Sequence, residues 1–270
     1  QPWYRDGVSP EEALFINSLW SDSFEANLAM ISAQERPFVH EQVRLMGGDT
    51  EIVVLYLPLE TGVGTAKDVM NFYKVLVPLV EDYFQSPASE HIVRSGKVLF
   101  FSVFIDSDSN EPTHARLMSK HTQYDASAHG HETAHAFSRV YDSVWMEEGT
   151  AEYVGTRLAL QAVAEHPDLL QKFHADNFTD NYNVAWKRLA GWGYDKHLLQ
   201  QMRDNNVERT IQTNAGFVFL YDLEQVIGVE AMRAGYRELM RDGMTLDKSV
   251  YEAFRKHSAS GKFQEYDALW

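Results

Sequence analysis

The sequence predicts an α+β chain in two lobes, an upper lobe with a small mixed β-sheet over residues 1–124 and a mainly α-helical lower lobe over residues 125–270. Before Tyr124, β-branched apolar runs alternate with helical patterns; after it, segments of helical period follow one another closely. The 270 residues are 44% hydrophobic and 13% aromatic, which excludes disorder and suffices for one sizeable core. No repeat and no flexible linker is present, so the lobes are expected to share an interface as one unit.

Ser9-Pro10-Glu11-Glu12 opens the first helix with a capping Ser, Pro at the first helical position and Glu three residues after the cap; its amphipathic run continues toward Ile31 and Pro37 stops it. Val39, Val43 and Leu45 at even spacing, the turn residues Gly47-Gly48-Asp49-Thr50 and the apolar run from Glu51 to Leu57 predict a hairpin. Thr65 and Asp68 are placed to cap a second helix with Val69, Phe72, Tyr73, Leu76, Val80 and Phe84 on one face and a kink at Pro78. Gly96 precedes a strand from Lys97 to Ile105. In the lower lobe, Asp125 or Ser127 caps a helix through Tyr141, and a second runs from about Met146 to Glu165. Three more cover Thr213 to Ile227, Glu230 to Arg241 and Leu246 to His257, with Gly228 and Gly243 where terminal glycines belong. Ala175 to Asp195, rich in Asn, Asp and Gly, reads as a long loop or broken helix. The aromatics Phe217, Phe219 and Tyr221 read as core.

Charge and cysteine content narrow the chemistry. With 24 Lys+Arg against 39 Asp+Glu the net charge is −15, and no basic patch offsets it, so nucleic acid is excluded as a partner. No apolar run approaches the ~20 residues of a transmembrane helix. Zero cysteines exclude disulfides, iron–sulfur clusters, thiol nucleophiles and thiolate metal sites, leaving His and carboxylates as strong ligands. The chain starts at Gln1 without Met or an apolar leader, as expected of a processed chain or a piece of a longer one. The absence of cysteine suits a secreted or periplasmic location.

His131-Glu132-Thr133-Ala134-His135 lies inside the helix that starts near Asp125. Four residues apart on a helix, both imidazoles share a face and can meet one metal ion. Glu132, rotated by about 100°, can stand beside the open coordination position and take a proton from water without ligating. The next helix opens with Trp145-Met146-Glu147-Glu148-Gly149-Thr150-Ala151-Glu152-Tyr153, where Glu148 and Glu152 share a face. Packed antiparallel, it can offer Glu148 as third ligand and Glu152 as acceptor for the outer N–H of a ligating His. Such a site fits Zn²⁺, with one position left for water and peptide hydrolysis as its chemistry.

These two segments resemble the gluzincin metallopeptidases, particularly the aminopeptidase N type, whose second motif reads W-L-N-E-G-F-A-E-Y. The resemblance implies zinc ligands His131, His135 and Glu148, general base Glu132, and Glu152 as the carboxylate behind a ligand. It also implies a thermolysin-like two-lobed catalytic domain acting on peptide or protein substrates. The runs around Glu51 to Leu57, Glu81-Asp82-Tyr83-Phe84 and Lys97 are similar to its upper lobe, whose edge strand holds substrate backbone; Asn214-Ala215-Gly216 through Gly228 is similar to a downstream family helix.

Three departures stand out. Positions 136–147 put only twelve residues between His135 and Glu148, shorter than in the aminopeptidases. The G-x-M-E-N segment that binds a free amino terminus is missing, so the expectation leans to an endopeptidase; the alternatives are an aminopeptidase of the same clan or an inactive zinc-binding module. Thr213 stands where the family has the Tyr that stabilises the oxyanion, leaving Tyr194, His197 or His174 as possible donors. His129 is expected to face away from His131, solvated or at the start of the helix. Asp106, Asp108 and Asn110 alternate like a calcium loop, but without its Gly and final Glu they read as a solvated turn. The acidic surplus favours basic or neutral peptides.

Overall fold

Alternation from Phe38 onward folds into a hairpin of β1 (Phe38–Leu45) and β2 (Gly48–Leu55) in the computed structural model. The structure describes residues 38–46, 48–55, 62–86, 93–94, 97–105, 117–119, 124–138, 141, 143–175, 177–195, 208–244 and 246–270. The helix expected near residues 9–31, the turn at 106–110 and position 197 lie outside them. Leu45 already pairs with Gly48 and Arg44 with Asp49, so the strands join two residues earlier than a turn over positions 47–50 requires. Gly48 opens β2 at a φ of 122°, a value that favours glycine.

Helix α1 (Gly62–Phe84) carries the chain from β2 to β4 (Lys97–Ile105), which lies parallel to β2 with Ile52 opposite Phe100. Strand β3 (Val93–Arg94) pairs antiparallel with the start of β4, and β5 (Leu117–Ser119) parallel with its end, giving a five-stranded mixed sheet. The six α1 residues predicted to share a face are fully buried, in one core with Ile52 and Val54. The helix starts three residues before Thr65, which therefore does not cap it; it continues through Pro78 to Phe84 as one element. The Tyr124 hydroxyl instead donates to Asp68 at 2.9 Å and lies 3.4 Å from the Thr65 hydroxyl, and Asp68 also accepts from Lys172 Nζ at 2.6 Å. Buried Glu81 accepts the Met46 N–H at 2.7 Å, fastening the hairpin to α1.

The remaining elements are helical: α2 (Ala126–Phe137), α3 (Val144–Glu165), α4 (Phe178–Gly191), α5 (Arg209–Ile227), α6 (Val229–Asp242), α7 (Asp247–His257), a 3₁₀ turn at Ser260–Lys262, and α8 (Phe263–Leu269). The architecture is thus mostly helical with a small mixed sheet. Asp125, not Ser127, caps α2, its carboxylate accepting the N–H groups of Ser127 and Ala128 at 2.9 and 3.2 Å. α2 stops at Phe137, short of Tyr141, where Ser138 turns extended. Phe178–Gly191 is an unbroken helix and not the loop or broken helix its composition suggests. Its Asn and Asp serve the N-terminus: Asn177 accepts the Thr179 N–H at 2.8 Å and Asp180 sits in the first turn. Its packing stripe is real, with Ala185 and Leu189 buried and Tyr182 and Trp186 partly so. α5 begins four residues before Thr213. Phe217 and Phe219 are buried as expected, and Gly228 and Gly243 end α5 and α6 at φ 86° and 67°.

Two glycine contacts set the helix spacing. A Cβ on Gly130 of α2 would lie 2.1 Å from the Gly155 carbonyl oxygen of α3, and one on Gly216 of α5 would lie 2.0 Å from the Trp145 carbonyl oxygen and 2.8 Å from Gly149 Cα. Positions 149 and 155 are about 120° apart around α3, so α3 is gripped on two faces by backbone contact. Among the described residues, no helix is long and apolar enough to cross a membrane.

Gly155→Ala should destabilise the protein by about 3 kcal/mol or more, because backbone and not a flexible side chain must yield. Gly191→Ala, whose Cβ meets nothing within 4 Å, should be neutral or stabilise by about 0.5–1 kcal/mol. Urea unfolding of the two variants measures the contrast.

Candidate metal centre

The α2 helix places His131 and His135 one turn apart, with their Nε2 atoms 3.1 Å from each other. From the first turns of α3, Glu148 brings Oε2 to 3.5 Å from His131 Nε2 and Oε1 to 3.6 Å from His135 Nε2. Among the described residues, these three side chains form the group whose ligand atoms, all within 4.8 Å of one another, could share a metal ion. Ligands of a tetrahedral zinc stand about 3.4 Å apart; the two imidazole nitrogens are near that spacing, and each approaches a different oxygen of the Glu148 carboxylate. Two of the three are next to a contact glycine: Gly130 precedes His131 and Gly149 follows Glu148. Helix spacing and ligand spacing are therefore the same constraint.

Glu152, one turn beyond Glu148, puts Oε2 2.9 Å from His131 Nδ1. The Nδ1–H tautomer donates to this carboxylate and leaves the Nε2 lone pair facing the centre. Glu132 is half-buried on α2, and its charge acts on both His131 and Arg209.

Burial opposes charge on His131, but Glu148, Glu152 and Glu132 outweigh it and raise the imidazole well above its ordinary value. Burial likewise pushes Glu148 up, and contacts with His131, Arg209 and His135 reverse this, holding it at about 2. The surrounding groups thus keep Glu148 charged and favour positive charge at His131. A divalent cation would supply that positive charge.

Arg209 joins the group without any signal in the motifs. The first residue of α5, it donates from its guanidinium to Glu148 Oε1 while its side chain stays 59% exposed. Starting the helix at Thr213 leaves Arg209 outside it. One more N-terminal turn puts Arg209 four residues before Thr213 and seven before Gly216, on the side facing α3.

The expected oxyanion positions fare differently. The Thr213 hydroxyl donates to the carbonyl of Arg209 at 3.0 Å, turned onto its own helix. Tyr194 packs against the core with its N–H on the Leu189 carbonyl at 3.0 Å. His174 is exposed at the start of α2, where its carbonyl accepts the Ala126 N–H at 2.9 Å. His129 is neither solvated nor a mere start of the helix. It is fully buried, with Nδ1 2.9 Å from the Tyr73 hydroxyl, and Phe72 and Phe173 pack around it. It faces away from His131 as its spacing implies, but α1 covers that side of α2.

No protein-family model matches the chain, and no curated protein matches it in sequence. Solved structures do resemble it. A variant of a two-domain M1 zinc metallopeptidase bound to L-tryptophan aligns with a TM-score of 0.52 and 12% identity, covering 86% of this chain and 51% of that one. A variant of the M1 zinc metallopeptidase from Deinococcus radiodurans aligns with a TM-score of 0.49 and 12% identity, covering 86% and 52%. The chain spans about half the length of these structures. At such identity the likeness is one of fold, and it extends over about half of the two-domain structure.

Proposed function

We propose that the protein is a zinc-dependent peptidase of the gluzincin type with a thermolysin-like catalytic arrangement. The observation that carries this reading is the convergence of His131, His135 and Glu148, whose ligand atoms lie within 4.8 Å of one another. The fold likeness to a zinc metallopeptidase supports it. Two neutral imidazoles and one carboxylate would hold Zn²⁺ with a position left open, and the ion would supply Lewis acidity and a water of pKa near ~7. The chain's own residues then do the rest. Glu132 accepts the proton of the attacking water and returns it to the departing amide nitrogen. Glu152 keeps His131 in the tautomer that ligates.

The missing G-x-M-E-N segment supports an endopeptidase. A second reading is an aminopeptidase, favoured by the free amino acid bound in the similar two-domain structure. A non-enzymatic zinc-binding module is favoured only by Thr213, whose hydroxyl is engaged within its helix.

The protein should take up one zinc per chain, measured by elemental analysis. His131→Ala should abolish this, and Glu152→Gln should weaken it about 10- to 100-fold. Zinc uptake should release a proton from His131, so affinity falls as pH falls through that group's raised value; calorimetry in buffers of different ionisation enthalpy reads the proton count. Glu132→Gln should keep the zinc and lower kcat by about 10²-fold or more. Internally quenched peptides with blocked amino termini decide the class: turnover supports the endopeptidase, and cleavage of free-amino peptides alone replaces it with the aminopeptidase.

A further inference from the structure

We infer that Arg209 stabilises the carbonyl oxygen of the scissile bond as it gains negative charge. This rests on the peptidase reading. Hydrolysis of an amide at such a centre needs a donor aimed at that oxygen. The Thr213 hydroxyl is spent on its own helix, donating to the Arg209 carbonyl at 3.0 Å. One turn nearer the helix start stands a permanent cation. Among the described residues, the Arg209 guanidinium has Glu148 as its hydrogen-bond partner. A guanidinium carries five N–H donors, so binding one carboxylate oxygen leaves others for substrate on a side chain 59% exposed.

Position and charge both favour this role. α5 meets α3 in backbone contact at Gly149 and Gly216, so Arg209 is referenced to the same crossing that places Glu148. Glu132, Glu147 and Glu148 all act on the guanidinium. In the reaction, the water oxygen bonds to the carbonyl carbon, its proton passes to Glu132, and the C=O π pair moves onto the carbonyl oxygen. Negative charge thus leaves Glu132 as it appears beside Arg209. When the C–N bond breaks, that pair re-forms C=O and the proton passes from Glu132 to the departing nitrogen.

The test is Arg209→Met, with Arg209→Lys and Arg209→Ala beside it, each checked for an unchanged thermal midpoint and for zinc content. Arg209→Met should keep one zinc per chain and lose about 10²- to 10³-fold in kcat, with KM altered less than about threefold. Affinity for a phosphinic peptide, a mimic of the tetrahedral state, should fall by a similar factor, while affinity for the product peptide stays. Arg209→Lys, or guanidinium ion added to Arg209→Ala, should restore part of kcat. Loss of zinc in step with kcat, without rescue by guanidinium, would show that Arg209 only holds Glu148 and overturn the inference. So would a loss confined to KM and to peptides with a free C-terminal carboxylate, which would make Arg209 a carboxylate anchor. If the wild-type protein cleaves peptides and Arg209→Met cleaves them equally well, the inference fails alone. If zinc-loaded wild-type protein cleaves none, the peptidase reading fails with it.

Discussion

The backbone contact between Gly130 and Gly155 is the constraint on which the rest of the helical region depends. A methyl group at either position would lie 2.1 to 2.3 Å from main-chain atoms of the other helix, far inside van der Waals contact. With no side chain to act as spacer, α2 and α3 sit at a separation set by main-chain atoms, which cannot repack. The Gly149 and Gly216 contact extends the same rule to α5. Sites that bind a metal tolerate only about half an ångström of error in ligand position. Placing His131 and Glu148 each beside a contact glycine meets that tolerance through the scaffold.

Electrostatics then distinguish this crossing from mere tight packing. Glu148 is nearly buried, and a charged carboxylate in that position must be compensated. His131, His135 and Arg209 supply the compensation, and Glu152 and Glu132 add further negative charge around His131. An arrangement built only for stability would seldom concentrate carboxylates around an imidazole. A surplus of negative charge around two imidazoles suits a cation.

The surrounding core holds this geometry from the other side. Buried His129 hydrogen-bonds Tyr73 and packs among Phe72 and Phe173, joining α1 to the helix that carries His131 and His135. Tyr124, through Thr65 and Asp68, ties the approach to α2 to the first turns of α1. The sheet therefore reaches the centre through α1. On the far side of α3, Arg157 and Tyr153 converge on Glu224 of α5, a second polar link between the helices already joined at Gly149 and Gly216.

Much of this was legible in the amino-acid sequence, and the limits have physical causes. Helical periodicity determined that His131 and His135 share a face, that Glu148 and Glu152 share another, and that Val69 through Phe84 form a buried stripe, because these follow from 3.6 residues per turn. Element ends were less legible. Asn177 and Asp180 favour loops and helix starts alike, so only the burial of Ala185 and Leu189 decided for a helix over Phe178–Gly191. His129 has no spacing that reveals α1 lying over it. Arg209 has none either, since its approach to Glu148 depends on α5 crossing α3 at Gly216 and on the helix starting one turn earlier than its apolar pattern. The sequence by itself determined which side chains could act and on which helix faces. Tertiary structure decided that two helices touch closely enough for three of those side chains to surround one point, because helix separation depends on contacts between residues distant in the chain.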